Sequence, residues 1–289
     1  ATAARLIDHA GIRLPDHSAR PQPAVEVGVQ PDRRLSLADF ERLTEISTLT
    51  AGTIYSGIHP GLGLPTAIYA FDRNRTGRAA LERLVATRET IGGLAHPGIV
   101  QPFEIQTETD PILVVTELVE GRSLHRVLAE EGALPEPAAV DRFRQLLSAV
   151  GAIHAAGLVH GGLTLGSVLV SAAGRVRVAG LGLCGLAFPL TAEDVAVDVA
   201  ALGRLFHDLL AGREPAFGRS HDSAAIPTAL MAVINLATGV DERLEPIGCD
   251  DLYRALAQAA GPEASGDGDE ASLNPLVDLN RLPDPPAGR

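Results

Sequence analysis

Apolar and polar positions show only weak periodicity up to residue 36 and become regular from Ala38 onward. Residues 53–71, TIYSGIHPGLGLPTAIYAF, form two apolar runs around His59-Pro60-Gly61, which predicts strand, turn and strand. In residues 76–94, Leu81, Leu84, Val85 and Ile91 recur near three- and four-residue intervals, which predicts a helix closed by Gly92-Gly93. Residues 99–106 and 112–118 predict two more strands. After Gly121 the helical period dominates. Residues 123–130 predict a short helix. Residues 136–156 predict a long one, with Val140, Phe143, Leu146, Leu147, Val150 and Ile153 facing inward and Gly157 ending it. Short strands at 168–170 and 176–178 flank the turn Ala172-Ala173-Gly174, and helices follow at 195–211, 227–239 and 249–260.

The ends read differently. Residues 1–36 are rich in Pro and Arg and predict an N-terminal extension with a short helix near 3–10 and an extended linker. Residues 261–289 are acidic and Pro-rich, the composition of a disordered tail. Within that tail, residues 274–282 (NPLVDLNRL) read as a packed patch or a short docking motif. Between the ends, residues 37–120 form a small antiparallel half and residues 121–260 a larger helical half. The fold class expected is therefore α+β with two lobes.

Composition narrows the function. The hydrophobic share of 46% is enough for a sizeable core, and aromatics at 3% make that core aliphatic. A net charge of −12 argues against a nucleic-acid binder or a binder of anionic membranes, which need basic patches. No apolar run is long enough for a membrane span and no leader is visible, so the expected location is cytoplasmic, including as the cytoplasmic part of a membrane protein. Cys184 and Cys249 have no metal-ligand spacing and read as reduced core thiols. All 24 basic residues are Arg and none is Lys, which with abundant Ala and Gly points to a GC-rich bacterial genome.

The chemistry-bearing segment is GLVHGGLTLGSVLVSAAGRVRVAGLGL, residues 157–183. Its His160-Gly161-Gly162-Leu163 and Gly180-Leu181-Gly182 resemble the H-R-D-L and D-F-G motifs of the Ser/Thr protein kinase family, in its bacterial, eukaryotic-like branch. Thr53-Ile54-Tyr55, Thr66-Ala67-Ile68-Tyr69, His96-Pro97-Gly98-Ile99-Val100, the hinge-like 114–121 and Asp198 within 197–203 add to the resemblance, which runs from about Phe40 to Ala260. It implies a two-lobed kinase fold, small sheet lobe first. It also implies that His160 is a packing residue, with Leu181 against it, and that Asp198 accepts backbone hydrogen bonds from the loop.

The same resemblance implies losses. Gly162 stands where the family has its catalytic Asp, Ser167 where it has a metal-binding Asn, Gly180 where it has a metal-binding Asp, and Tyr69 where it has the phosphate-binding Lys. Of the three phosphate-loop glycines, at Ser47, Leu49 and Gly52, only Gly52 remains. The helix Glu should fall near Thr87, whereas Glu89 lies two residues on, about 200° around the helix. Thr116, Glu117 and Val119 are expected to outline a residual adenine pocket, because the hinge holds adenine through backbone groups. Thr191 opens the capping pattern Thr191-Ala192-Glu193-Asp194 and is also a candidate phosphosite.

The expectation drawn from these residues is a pseudokinase: no enzyme, no cofactor and no metal. It would act as a scaffold or regulator for a protein partner, such as an active Ser/Thr kinase, a phosphothreonine-binding domain or a cell-envelope protein, in signalling. The second reading is a metal-independent sensor of a nucleotide or other small molecule in the interlobe cleft. The third is an enzyme with relocated acids among Glu193, Asp194 and Asp198.

Overall fold

The computed structural model describes residues 34–183, 195–212, 226–239 and 247–260. The expected N-terminal helix, the tail motif, Cys184, Thr191, Glu193 and Asp194 lie outside the described residues.

A five-stranded antiparallel sheet comes first. Its strands are β1 (Glu41–Leu49), β2 (Gly52–Ile58), β3 (Pro65–Phe71), β4 (Pro102–Gln106) and β5 (Ile112–Glu117), ordered β1-β2-β3-β5-β4. Helix α1 (Arg78–Gly93) crosses between β3 and β4. The period of two places Ile112 and Val114 of β5 in the main core, while Leu113 and Val115 join a second cluster with Leu35, Phe40, Ile68 and Ala70. Both faces of β5 are thus covered, which explains its unbroken apolar run.

The turn between β2 and β3 rests on one buried imidazole. His59 Nδ1 accepts the amides of Gly61 and Leu62 at 3.1 Å each, and its Nε2 lies 3.2 Å from Glu104 Oε1. His96 repeats the device, its Nδ1 accepting the Gly98 amide at 3.0 Å. A His two residues ahead of a turn amide here does what Asx side chains do in their turns.

The second half holds a three-stranded sheet of β6 (Gly121–Ser123), β7 (Val168–Ser171) and β8 (Val176–Val178). Around it lie α2 (Leu124–Glu131), α3 (Glu136–Ala155), α4 (Val195–Ala211), α5 (Thr228–Thr238) and α6 (Cys249–Ala260). The Ser123 side chain caps α2 by accepting the Arg126 amide at 3.2 Å. The stacked rings of Phe143 and Phe206, 4.1 Å apart and fully buried, join α3 to α4. Gly203 lets α4 approach α5, since a Cβ there would lie 2.7 Å from the Ala237 Cβ.

Four expectations need correction. Strand β1 was not foreseen as a strand, because its first five residues are all exposed and show no alternation. Strand β6 has three residues, too short for any periodicity. Strand β4 starts at Pro102, since Ile99 instead forms an isolated bridge to Val178. On α1, Val85 is exposed and Ala80 takes the buried place beside Leu84 and Ile91.

Candidate functional site: the interlobe cleft and its loop anchor

The loop after α3 hangs from one carboxylate. Asp198, in the first turn of α4, is fully buried. Its Oδ2 accepts the His160 amide at 2.7 Å and its Oδ1 accepts the Gly161 amide at 2.8 Å. His154, near the end of α3, places Nε2 3.0 Å from Oδ2. Burial pushes the Asp198 carboxyl up, but the donors from His154, His160 and Gly161 outweigh it and hold it below the usual carboxylate value. Both oxygens are committed, so Asp198 is an anchor and not a relocated base. Cys249 at the head of α6 approaches His154 Nδ1 at 3.6 Å, and burial followed by the Asp198 charge pushes its thiol up to about 12. That leaves Cys249 a protonated thiol at neutral pH, in agreement with the sequence reading.

His160 is buried, and the same two-residue turn recurs: its Nδ1 accepts the Gly162 amide at 3.3 Å. Nε2–H therefore donates to the Ala179 carbonyl at 3.1 Å, joining the loop to the segment after β8. Burial lowers the imidazole's pKa despite the Asp198 charge. The unfolded chain, with an ordinary histidine value of 6.5, then binds the proton more readily than the folded one. Stability should be fully present above about pH 6.5 and fall as the pH drops toward the lowered folded value. Urea midpoints from pH 7.5 to 5 would show this as a slope that His160→Gln reduces. A midpoint flat across that range in the parent chain would contradict it.

Downstream, Ser167 is used locally. Its hydroxyl donates to the Thr164 carbonyl at 3.0 Å and accepts the Thr164 amide at 2.9 Å, while its own amide donates to Thr164 Oγ1 at 3.2 Å. Gly180 and Gly182 have φ of +88° and +75°, where a side chain would be strained. At Gly182 a Cβ would also lie 2.7 Å from Ile91 Cδ1 of α1, so this segment packs directly under the helix. On α1, Thr87 donates its hydroxyl to the Arg83 carbonyl at 2.9 Å and Glu89 is exposed.

Gly52 has a reason of its own. A Cβ there would sit 2.0 Å from the Ala70 carbonyl oxygen, so the glycine is required by the pairing of β2 with β3. Leu49 packs against the main core. On β3, Tyr69 stacks beside Phe71 with centroids 6.4 Å apart, and burial raises its phenol to about 12, so it stays neutral.

Tyr69 also lines a cavity of about 170 Å³ between the two sheets. Thr116, Glu117, Leu118 and Val119 form its hinge side, with Ala67 and Ile54 from the first sheet and Leu169 and Ala179 from the second half. The three pocket residues expected from the sequence are thus brought together. Thr116 is buried and donates to the Glu117 carbonyl at 3.0 Å. Glu117 accepts the Gln101 amide at 3.2 Å and pairs with Arg177 of β8, whose guanidinium also donates to the Ile99 carbonyl at 3.2 Å. This pair ties the hinge to the strand that leads into Gly180.

Sequence reading missed Arg177, His154, Arg122 and Arg126. Arg177 alternates with the buried Val176 and Val178, which marks it as facing the other side of β8 but not as reaching Glu117. Among the described residues no three His, Cys, Asp or Glu side chains converge on a metal position. The Ser167 hydroxyl is engaged within its own turn and Gly180 carries no side chain.

A small antiparallel sheet lobe, a mainly helical lobe and a hinge-lined cleft define a protein of the kinase type. The chain belongs to the protein kinase domain family, whose model matches residues 40–189. It is similar to serine/threonine-protein kinase PknL of Mycobacterium tuberculosis, 28% identical over 263 residues, which cover 82% of this chain and 65% of that protein. It is also similar to the serine/threonine-protein kinase drp72 of Corynebacterium efficiens, 29% identical over 51% of this chain and 36% of that protein. A plant relative, CBL-interacting protein kinase 31 of Oryza sativa, is 32% identical over 45% of this chain and 29% of that protein. The chain thus spans about two thirds, at 65%, of the length of PknL. These findings overturn the expectation that the chain is no enzyme. The family and its kinase-named relatives point to an enzyme. No helix among the described residues is long and apolar enough to cross a membrane.

Proposed function

We propose that this kinase-family domain takes an adenine-class ligand at the hinge without a metal ion and passes its state to a protein partner as a regulatory or scaffolding module. The observation that carries the reading is the cavity bounded by Thr116, Glu117 and Val119, with the hinge held by the Glu117–Arg177 pair. Its lining is predominantly apolar, and hinge backbone groups supply polar recognition, the usual composition of a small-molecule pocket. We infer further that Tyr69, Gly162, Ser167 and Gly180 occupy the positions of the family's Lys, catalytic Asp, metal-binding Asn and metal-binding Asp. Tyr69 is a neutral phenol at the first of these positions. Partner classes that suit the reading are an active Ser/Thr kinase, a phosphothreonine-binding domain that would read Thr191, or a cell-envelope protein.

The test is a melting-temperature series with adenosine, with ATP in EDTA and with MgATP. Equal stabilisation by ATP with and without Mg²⁺ is expected. Greater stabilisation by MgATP would reveal a metal site and sink the metal-free reading. No response to any of the three would remove the cleft reading altogether. Phosphoryl transfer from labelled ATP, measured in parallel, reports on the activity that the family match points to.

A further inference from the structure

The segment that enters the domain is held on the first sheet by a chain of hydrogen bonds with one imidazole in it. The Leu35 amide donates to Gln106 Oε1 at 3.0 Å. Gln106 Nε2 donates to Glu104 Oε2 at 2.9 Å. The other carboxylate oxygen of Glu104 lies 3.2 Å from His59 Nε2, and His59 Nδ1 accepts the Gly61 and Leu62 amides. Two amide donors at Nδ1 put the ring proton on Nε2, so the buried His59 is a neutral ring with both nitrogens committed. The Phe40 ring meets the imidazole edge-on, with centroids 5.8 Å apart. Leu35 and Phe40 are thus the two ends of one strap. Ser36 stiffens it, since its amide and its hydroxyl both donate to Asp39 Oδ2.

Three histidines among the described residues accept a turn amide at Nδ1, and His59 differs from the other two. His96 Nε2 faces the Ser148 hydroxyl and His160 Nε2 the Ala179 carbonyl, both uncharged. His59 Nε2 faces a carboxylate. A proton added at Nδ1 sets an N–H against two N–H donors, so the turn amides must leave. The carboxylate at Nε2 compensates for the new charge. Proton uptake therefore moves this ring from capping the turn to pairing with Glu104. Glu104 is shared between His59 and Gln106, so a ring that moves draws the carboxylate from Gln106 and unfastens Leu35. The other charged groups on the elements around the ring are Asp39, bound to Ser36, and the exposed Glu41 and Arg42. Residues 60–64 of the turn carry no charge.

The strap backs the strands that carry the cavity. Leu35 and Phe40 pack with Ile68 and Ala70 of β3 and with Leu113 and Val115 of β5. The alternate residues Ala67, Tyr69 and Thr116 line the cavity from the other face of the same strands. We propose that His59 and Glu104 form a proton-operated latch, in which protonation of His59 frees the turn at residues 59–64 and with it the strap at residues 35–40, loosening the sheet behind the cleft.

Amide exchange of the full chain from pH 7.5 to 5.5, expressed as protection relative to free peptide, tests it. Protection at Gly61 and Leu62 should fall by up to about tenfold per pH unit, the slope for uptake of one proton, and Leu35 should follow. Leu146 and Leu147 of α3 report global unfolding and should keep their higher protection. His59→Gln should flatten the response at all three amides. Glu104→Gln, which leaves the imidazole in place, should flatten it too. Flat protection in the parent chain overturns the proposal, as does a fall that survives His59→Gln or that Leu146 and Leu147 share. A response untouched by Glu104→Gln removes the carboxylate from the device and also overturns it. Loss at Gly61 and Leu62 with Leu35 unchanged shows a titrating turn that fastens nothing, and the latch is then wrong.

Discussion

Asp198→Ala should lose about 3–5 kcal/mol of unfolding free energy, the scale for removing one partner from a buried, hydrogen-bonded charge. The residue is fully buried and accepts the His160 and Gly161 amides and the His154 imidazole. Truncation leaves those three donors facing a void, and each unsatisfied buried donor costs about 1–3 kcal/mol before relaxation. Asp198→Asn should fall between parent and Ala. Its oxygen can still accept, but its NH₂ turns a donor toward a donor. The second readout is local. Amide exchange at His160, Gly161 and Gly162 should speed up before global unfolding, because their loop hangs from this carboxylate. Urea unfolding gives the free energy. A loss below about 1 kcal/mol would mean that the loop is held elsewhere and that the anchor role is wrong.

Phe206→Ala should cost a similar amount, about 3–5 kcal/mol, the range for truncating a buried aromatic ring. Phe206 and Phe143 are both fully buried, with rings nearly parallel at 3°. The same two helices carry His154 and Asp198, so the stack also sets the distance across which the anchor forms. The double variant with Phe143→Ala should show a coupling of about 0.5–1.5 kcal/mol, the surplus of an aromatic pair over its burial. Additive losses would show that each ring packs independently. The stack would then not act as a unit in setting the distance between α3 and α4.

Much of the architecture was legible along the chain. Strands β2, β3 and β5 and helices α1 to α6 follow from local periodicity, because one buried face repeats every two or every 3.6 residues. The elements that were not legible carry little local signal. Strand β1 exposes its first five residues, and β6 has three residues and forms because Arg122 finds Val170 across the ladder. The pocket residues Thr116, Glu117 and Val119 were readable through the family motif that contains them. Arg177, His154, Arg122 and Arg126 were not. Arg177 and His154 act through partners far off in sequence, Glu117 at 60 residues and Asp198 at 44, while Arg122 and Arg126 pair locally with Glu130 and Glu131 but line a cavity that distant segments close.

Gly52 shows how a motif can be read correctly and for the wrong cause. The sequence marks it as a surviving phosphate-loop glycine. In the fold its missing Cβ makes room for the Ala70 carbonyl, a strand-pairing need independent of any nucleotide. The enzyme expectation was misjudged for a related reason. That expectation rested on residues 69, 162, 167 and 180 read one by one against a motif, whereas the family match over residues 40–189 points to an enzyme family.

The sequence alone determined the order of elements, the two-lobed class and the lack of Lys. These depend on local period and composition, which need no partner. Tertiary structure alone decided that His154 joins the loop amides on Asp198, that the hinge is tied to β8 through Arg177, and that two arginines line the cavity. Those are charge and hydrogen-bond relations between distant segments, and only folding brings their atoms within reach of one another.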